Sequence, residues 1–195
     1  MARWMERVLA PVAGTNSPLA GRFLWQLDDQ TRRLTEHTRG ATAAELCWQA
    51  APGMNTIGML LAHVAVVEIG WVVRGVLDRP FEHADALFPL RWADPGVPLA
   101  PGGAPPELLR GRTLDYFDDL LARARRFTKQ ALAPLTDADL ERRLRFALPW
   151  MEDTEMEVNG LWTLYHLLEH EAGHYGQINL LRHHYRLGAG ETPTP

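Results

Sequence analysis

Apolar side chains recur every three or four residues in four long segments of this chain, which is the spacing that helices show. Residues that favour helix ends bound these segments, among them Ser17 followed by Pro18, Asn55 as an N-cap and Gly188 as a C-terminal stop. The four predicted helices cover residues 19–38, 55–77, about 105–134 and 159–187.

Strands contribute little to the predicted fold, because no alternating pattern of useful length is present and only residues 143–148 fit a short extended piece. A helix of about 20 residues is roughly 30 Å long, so four of them suit one bundle. We therefore predict an all-α, four-helix-bundle fold. The length of 195 residues favours a single domain over residues 1–195, with its core at about 19–187 and a loose tail at 188–195.

The second and third predicted helices are joined by an irregular, proline-rich stretch at residues 80–106, which holds seven of the 14 prolines. Phe81, Phe88 and Trp92 supply apolar anchors, so we expect this stretch to pack against the core. Loops of this length are uncommon in compact domains and are often functional. Two interpretations stay open: a crossover that runs back along the bundle, or a lid over a site.

Composition and charge narrow the function classes. A formal charge of −4 leaves no basic field for a nucleic-acid backbone. The single cysteine, Cys47, excludes an internal disulfide and any multi-cysteine metal site, and it fits a reducing cytoplasm. The most apolar stretch, residues 57–73, carries His63 and Glu68 and is too short and interrupted for a membrane span. With no secretory signal visible at the N-terminus, we expect a cytoplasmic protein that binds neither nucleic acid nor membrane.

Histidine is the residue in excess, with eight copies. His166, His170 and His174 follow one another at four-residue intervals and so share one face of the fourth helix, whereas His63 lies among apolar residues of the second. A buried imidazole without a partner costs about 1–3 kcal/mol, so such rings are hydrogen-bonded or coordinated. His63, His170 and His174 can give three nitrogens to one divalent metal, the arrangement of catalytic sites that keep an open position. We expect His166 and Gln177 beside these ligands.

Plain core histidines remain an alternative for this set, and the spacing allows a sharper one. Residues 170–174 match H-E-x-x-H, in which two histidines bind zinc and the glutamate activates water. This pattern predicts a small metallopeptidase with Glu171 as its base. Gln177 and Leu180 stand where the extended form of the motif has glycine and histidine, which counts against it. The alternative prediction for Glu171 is a carboxylate that lies in solvent or beside the metal ligands without a catalytic role.

Two longer motifs resemble a known family. The sequence WQAAPG at 48–53 with NTIGMLLAH at 55–63, and the sequence WTLYHLLEHEAGHYGQ at 162–177, are similar to motifs of the DinB/YfiT-like superfamily. The resemblance implies a four-helix bundle, commonly dimeric, that binds zinc or nickel through three histidines. It also implies that a low-molecular-weight thiol is a possible cofactor, since some relatives are thiol S-transferases. The residues at the ligand positions are His63, His170 and His174.

These observations predict a metal-dependent enzyme that activates a low-molecular-weight thiol or water, of the S-transferase or hydrolase type, and acts on a small molecule. Because the chain has one cysteine, the thiol would come from a bound cofactor. The alternatives are a non-catalytic stress-response bundle with a structural metal, or the metallopeptidase.

The fourth helix is also apolar on the side away from its histidines. A helix that is apolar all round is buried all round. Either residues 80–106 or a second subunit therefore covers this side, and we expect a symmetric homodimer. The residues concerned are Leu161, Tyr165, Leu168, Ala172 and Tyr175.

Overall fold

Within residues 8–148 and 150–188, which the computed structural model describes, the chain forms seven α-helices, one 3-10 turn and a two-stranded antiparallel sheet. The elements are α1 (Pro18–Thr38), α2 (Ala43–Cys47), α3 (Ile57–Gly75), α4 (Glu82–Leu87), the 3-10 turn (Glu107–Leu109), α5 (Leu114–Leu132), α6 (Asp137–Glu141), β1 (Arg143–Ala147), β2 (Glu155–Asn159) and α7 (Gly160–Gly188). The protein is thus mostly helical. The predicted tail lies outside the described residues apart from Gly188.

The four predicted helices correspond to α1, α3, α5 and α7, and their bounds differ most for α5. That helix begins at Leu114 instead of near residue 105. Glu107–Leu109 forms only a 3-10 turn, and Gly111 follows it with a φ of +69°, a left-handed conformation that breaks a helix. The sequence Pro105-Pro106 resembles a helix start, but Gly111, five residues after Pro106, separates it from the true one.

Hydroxyl side chains cap the first two long helices. The Ser17 hydroxyl accepts a hydrogen bond from a backbone N–H of the first turn of α1, as predicted. Asn55 was expected to do the same for α3, and that prediction is wrong. The cap is Thr56, whose hydroxyl accepts from the backbone N–H of Met59 at 3.2 Å. Asn55 Oδ1 instead accepts from the backbone N–H of Leu99 at 3.2 Å, so it holds the connection between α3 and α5 in place.

A small hairpin interrupts the helical pattern before α7. β1 coincides with the predicted extended piece, and β2 pairs with it in antiparallel register, with Leu144 opposite Val158. Both of these side chains are buried, whereas Arg143 and Glu157 form an exposed ion pair at 3.0 Å. The sequence does not predict β2, because EMEVN is short and rich in residues that also favour helices.

The long helices pack pairwise along their lengths, α3 against α5 and α7, and α1 against α7 and α5. Gly58 near the start of α3 lies against Phe117 near the start of α5, and Glu68 bonds Arg125 further along both helices. α3 and α5 therefore run in the same direction. The connection between them must return along a helix of 19 residues, or about 29 Å, which explains its length.

The aromatic anchors predicted for that connection are confirmed. Phe88 is buried, and Phe81 and Trp92 pack against the core. Trp92 lies so close to α3 that a Cβ atom at Gly70 would approach its ring within 2.6 Å. The connection is thus fixed to α3 by packing, and it contains a helix, α4, that the sequence did not indicate.

α3 is the central helix of the fold and is buried on nearly all sides. It was expected to be too short and interrupted to cross a membrane, yet its 19 residues are long and apolar enough by composition. Of the most apolar 18 residues of this helix, 89% are buried inside the protein. A single such helix is weak evidence for a membrane protein, because core helices pass the same test.

Candidate metal centre

Three imidazoles converge between α3 and α7. Nε2 of His170 lies 3.1 Å from Nε2 of His63 and 3.1 Å from Nε2 of His174. All three rings are partly buried, and their ligand atoms lie within 4.8 Å of one another. In the described part of the chain, no other group of at least three histidine, cysteine or acidic side chains gathers in this way. The structure thus brings together the three residues that the sequence predicted as ligands.

Local sequence explains how the two helices approach. His170 and His174 are one turn apart and project from the same face of α7. Near the start of α7, the hydroxyl of Thr163 donates a hydrogen bond to the backbone carbonyl of Gly75, the last residue of α3, at 3.1 Å. A Cβ atom at Gly75 would overlap the threonine side chain. The glycine therefore permits the close contact between α3 and α7 that lets His63 reach the other two rings.

The environment keeps the rings neutral at pH 7. Burial, together with the neighbouring His174, lowers the pKa of His63 to about 4. Burial and the adjacent imidazoles lower the pKa of His170 to about 2. Burial also lowers the pKa of His174, although its hydrogen bond to Gln177 works in the opposite direction. Neutral imidazoles carry the free nitrogen lone pairs that metals require.

The donor set fits a divalent metal. Zinc binds imidazole nitrogen at about 2.0–2.1 Å, and two nitrogens at a tetrahedral angle are then about 3.3–3.4 Å apart. The separations of 3.1 Å are close to this value. Nδ1 of His174 donates to Oε1 of Gln177 at 3.1 Å, which leaves Nε2 unprotonated, as metal-ligating histidines require. His63, His170 and His174 can therefore hold a metal, and Gln177 lies beside them as predicted.

His166 lies next to the three rings but does not join them. Its ring centroid is 5.9 Å from that of His170. It stacks on Trp162 at 5.1 Å and meets Trp71 edge-on, while its Nδ1 pairs with Glu169 at 3.0 Å. The ring therefore belongs to an aromatic cluster beside the histidine site, consistent with its predicted neighbouring position.

Glu171 does not lie with the imidazoles, which corrects its predicted place as a base facing a metal. Its carboxylate is buried against α1 and α5: Oε1 accepts from the Thr31 hydroxyl at 2.6 Å, and Oε2 lies 3.4 Å from Arg125. Arg125 also bonds Glu68 at 2.8 Å and Asp28 at 3.0 Å. One residue along a helix is a turn of about 100°, which takes Glu171 away from the face of His170. It is neither solvated nor available to the histidine site.

This buried charge network joins α1, α3, α5 and α7. Burial raises the pKa of Glu171 to about 7, against the opposing effect of Arg125. Attraction from Glu68 and Glu171 raises the pKa of Arg125 although burial lowers it, so the guanidinium stays charged. No sequence motif singles out Arg125. The available signal was its spacing, four residues after the buried Leu121 on the apolar face of α5.

An apolar cleft of about 270 Å³ lies beside Gln177, the hydrogen-bond partner of His174. α3 contributes Leu60, one turn before His63, and α7 contributes Leu180 together with Gln177, the partner of His174. The connection between α3 and α5 supplies the opposite side through Leu99 and its neighbour Pro98. The proline-rich stretch thus forms part of a site wall.

The fold and the three neutral imidazoles define a mostly helical protein with a site that can hold a divalent metal. The chain belongs to the DinB superfamily, whose sequence model matches residues 26–178. This match spans α3 and most of α7 and includes all three histidines, and it confirms the resemblance seen in the two sequence motifs. A comparison with curated proteins returns no significant match.

Proposed function

We propose that this protein is a metal-dependent enzyme in which His63, His170 and His174 hold a divalent metal, zinc or nickel. The observation that carries the proposal is the convergence of three neutral Nε2 atoms from two helices. The four long helices then serve as the four-helix bundle of the superfamily, with residues 80–106 as its crossover.

A divalent metal at such a site acts as a Lewis acid and lowers the pKa of a thiol or water that reaches it. The protein residues bind and orient: three imidazoles hold the metal, and Gln177 fixes the tautomer of His174. Cys47 is exposed and its Sγ bonds the carbonyl of Ala44, so it is not among the converging side chains. The thiol of a transferase reaction is therefore supplied by a small molecule.

The metallopeptidase alternative has no support in the geometry, since the carboxylate of Glu171 is held by Thr31 and Arg125. The structural alternative has one observation in its favour, because the three histidines link α3 to α7 and a metal there would stabilise the fold. Removing a structural metal would unfold the protein, whereas removing a catalytic metal would abolish turnover.

Metal analysis of the purified protein is the first experiment. We expect about one zinc or nickel per chain, and its loss in His63→Ala and His170→Ala. His183→Ala serves as the control, because His183 lies on the same helix outside the site. A wild-type protein that takes up no stoichiometric metal would contradict the proposal.

A conjugation assay with a low-molecular-weight thiol and a small electrophile then tests catalysis, with an ester as the hydrolytic counterpart. We expect metal-dependent turnover of one of them, and we expect Glu171→Gln to retain most of it wherever the variant stays folded. Variants that lose both metal and folded structure, with no turnover by wild type on either substrate, would favour the structural alternative.

We also propose a homodimer and a cytoplasmic location. The connection between α3 and α5 does not cover the second apolar side of α7, where Tyr165 is 51% exposed and Ala172 is exposed, while Leu161, Leu168 and Tyr175 are half-buried. Tyr175 stacks on His37 of α1, and we propose that a second subunit covers the exposed part of this face. Light scattering at micromolar concentration tests it, and a monomer would contradict it. Cell fractionation tests the location.

A further inference from the structure

The apolar cleft beside Gln177, the partner of His174, points to a substrate class. Resting on the proposed function, we propose that the cleft binds a neutral, compact and mainly apolar molecule that presents a carbonyl-type hydrogen-bond acceptor to the amide nitrogen of Gln177. The proposal stands on the position, lining and size of the cleft.

The cleft lies close to one ligand of the candidate metal site. Gln177 lines the cleft and also accepts the hydrogen bond from His174, so one side chain touches both the cleft and a ligand of the candidate metal. Leu60 lines the cleft one helical turn before His63 on α3. A molecule in the cleft that contacts Gln177 is therefore one side chain away from His174.

The lining excludes charge. The side chains around the cleft are apolar except for two amides, and none of those described is charged. One amide, Asn55, already accepts a hydrogen bond from the backbone of Leu99. An ion entering the cleft would lose hydration and find no counter-charge among these lining residues, which is costly, whereas an apolar group gains about 25 cal/mol per Å² of buried surface.

The second amide provides a directed contact. Gln177 uses Oε1 to accept from His174, and its Nε2 has no partner among the described residues. An amide nitrogen donates two hydrogen bonds and accepts none. A ligand that meets it must therefore offer an acceptor, and in an uncharged cleft this is a neutral oxygen such as a carbonyl.

Size limits the apolar part. The cleft volume of about 270 Å³ lies just below the range of about 300–1,000 Å³ that is usual for pockets of drug-sized ligands. A single ring with a short substituent suits this space, whereas a peptide or a long acyl chain does not.

The test is binding, measured by ligand-observed NMR on the full-length protein as purified and again after chelator treatment. The probes are acetophenone, benzoate and benzylamine, which share a ring and differ in charge. After chelator treatment we expect acetophenone to bind at least about tenfold more tightly than either ion, because no lining side chain is charged. We expect acetophenone to bind the protein as purified as well.

Variants locate the binding. Leu180→Trp adds bulk at a cleft residue that is 57% exposed, and we expect it to weaken acetophenone binding at least about tenfold. Leu187→Trp is the matched control, since Leu187 is 54% exposed on the same helix and does not line the cleft. Gln177→Leu should weaken acetophenone but not toluene, which has no acceptor. Amide shift mapping on wild type gives the same information without any variant.

The outcomes separate this inference from the proposed function. Equal binding of the three probes, or shifts away from Leu60, Leu99 and Leu180, would overturn the inference even if the protein holds a metal. Selective binding that depends on Leu180 supports the inference, and it does so also in a protein that proves to bind no metal, in which case the proposed function alone fails.

Discussion

Replacing Arg125 by methionine tests the buried charge network that joins the four long helices. Methionine keeps an unbranched apolar side chain of similar reach but removes the guanidinium, which makes hydrogen bonds to Glu68 and Asp28 and approaches Glu171. Two carboxylates that are 4% and 2% exposed then face each other without a counter-charge.

The expected loss follows from this burial. Removing one partner of a buried ion pair costs about 3–5 kcal/mol, because the remaining charge is neither solvated nor paired. Domains unfold with a free energy of only about 5–15 kcal/mol, so the loss is a large share of the total. Arg123→Met is the matched control on the same helix: its pair with Asp119 is half-exposed, and such pairs contribute about 0.5 kcal/mol or less.

Urea unfolding followed by far-UV circular dichroism measures both variants against wild type. Each is measured with chelator, so that metal binding does not enter the comparison. A second substitution checks the cause, since Arg125→Met combined with Glu68→Gln should recover part of the loss by removing the buried charge that Arg125 bonds at 2.8 Å. If Arg125→Met and Arg123→Met lose equal stability, the network does not stabilise the fold in the way described.

Three further predictions concern pH and packing. The pKa of Glu171 is about 7 in the folded state against 4.5 ordinarily, so its protonation stabilises the fold at low pH, and this contribution is lost as pH rises from 4.5 through 7. The stability of Glu171→Gln, measured by urea unfolding, should lack this pH dependence, and a pH slope equal to that of wild type would contradict the prediction. His63 has the opposite sign: its pKa falls from 6.5 to about 4 on folding, so metal-free protein should lose stability as pH drops through that range, and thermal unfolding should show a smaller loss for His63→Gln. Gly75→Ala should destabilise by about 1–3 kcal/mol because the added methyl overlaps Thr163, whereas Gly173→Ala meets nothing within 4 Å and should be neutral or stabilising in the same unfolding assay.

Much of the candidate site could be predicted from the sequence. The four-residue spacing of His170 and His174 places them on one face of any helix, so their proximity needs no knowledge of the rest of the fold. His63 was assigned to them by its position in an apolar helix and by the resemblance to the superfamily, and the structure brings its Nε2 within 3.1 Å of that of His170. Helix periodicity, caps and motif spacing are local properties, and they carried these predictions.

Other features depend on contacts between distant parts of the chain. Glu171 lies in a motif that predicts a base facing zinc, but Arg125, 46 residues earlier, holds its carboxylate in the core. Asn55 has the side chain of a helix cap, yet it binds the connection at Leu99 because Thr56 takes the cap. Either residue could adopt more than one local hydrogen-bonding arrangement, and the choice between them was made by the packing of other elements.

The sequence by itself determined roughly where the long helices lie and that His170 and His174 share one face, because helix spacing is set by backbone geometry within a few residues. His63 joined them through its place in an apolar helix and the resemblance to the superfamily. Only the tertiary structure decided what surrounds those imidazoles: a cleft walled by a returning connection on one side and a buried Arg125 network behind α7. The physical reason is that a side chain's partner is selected by desolvation and packing across the whole fold, and neither acts within one segment alone.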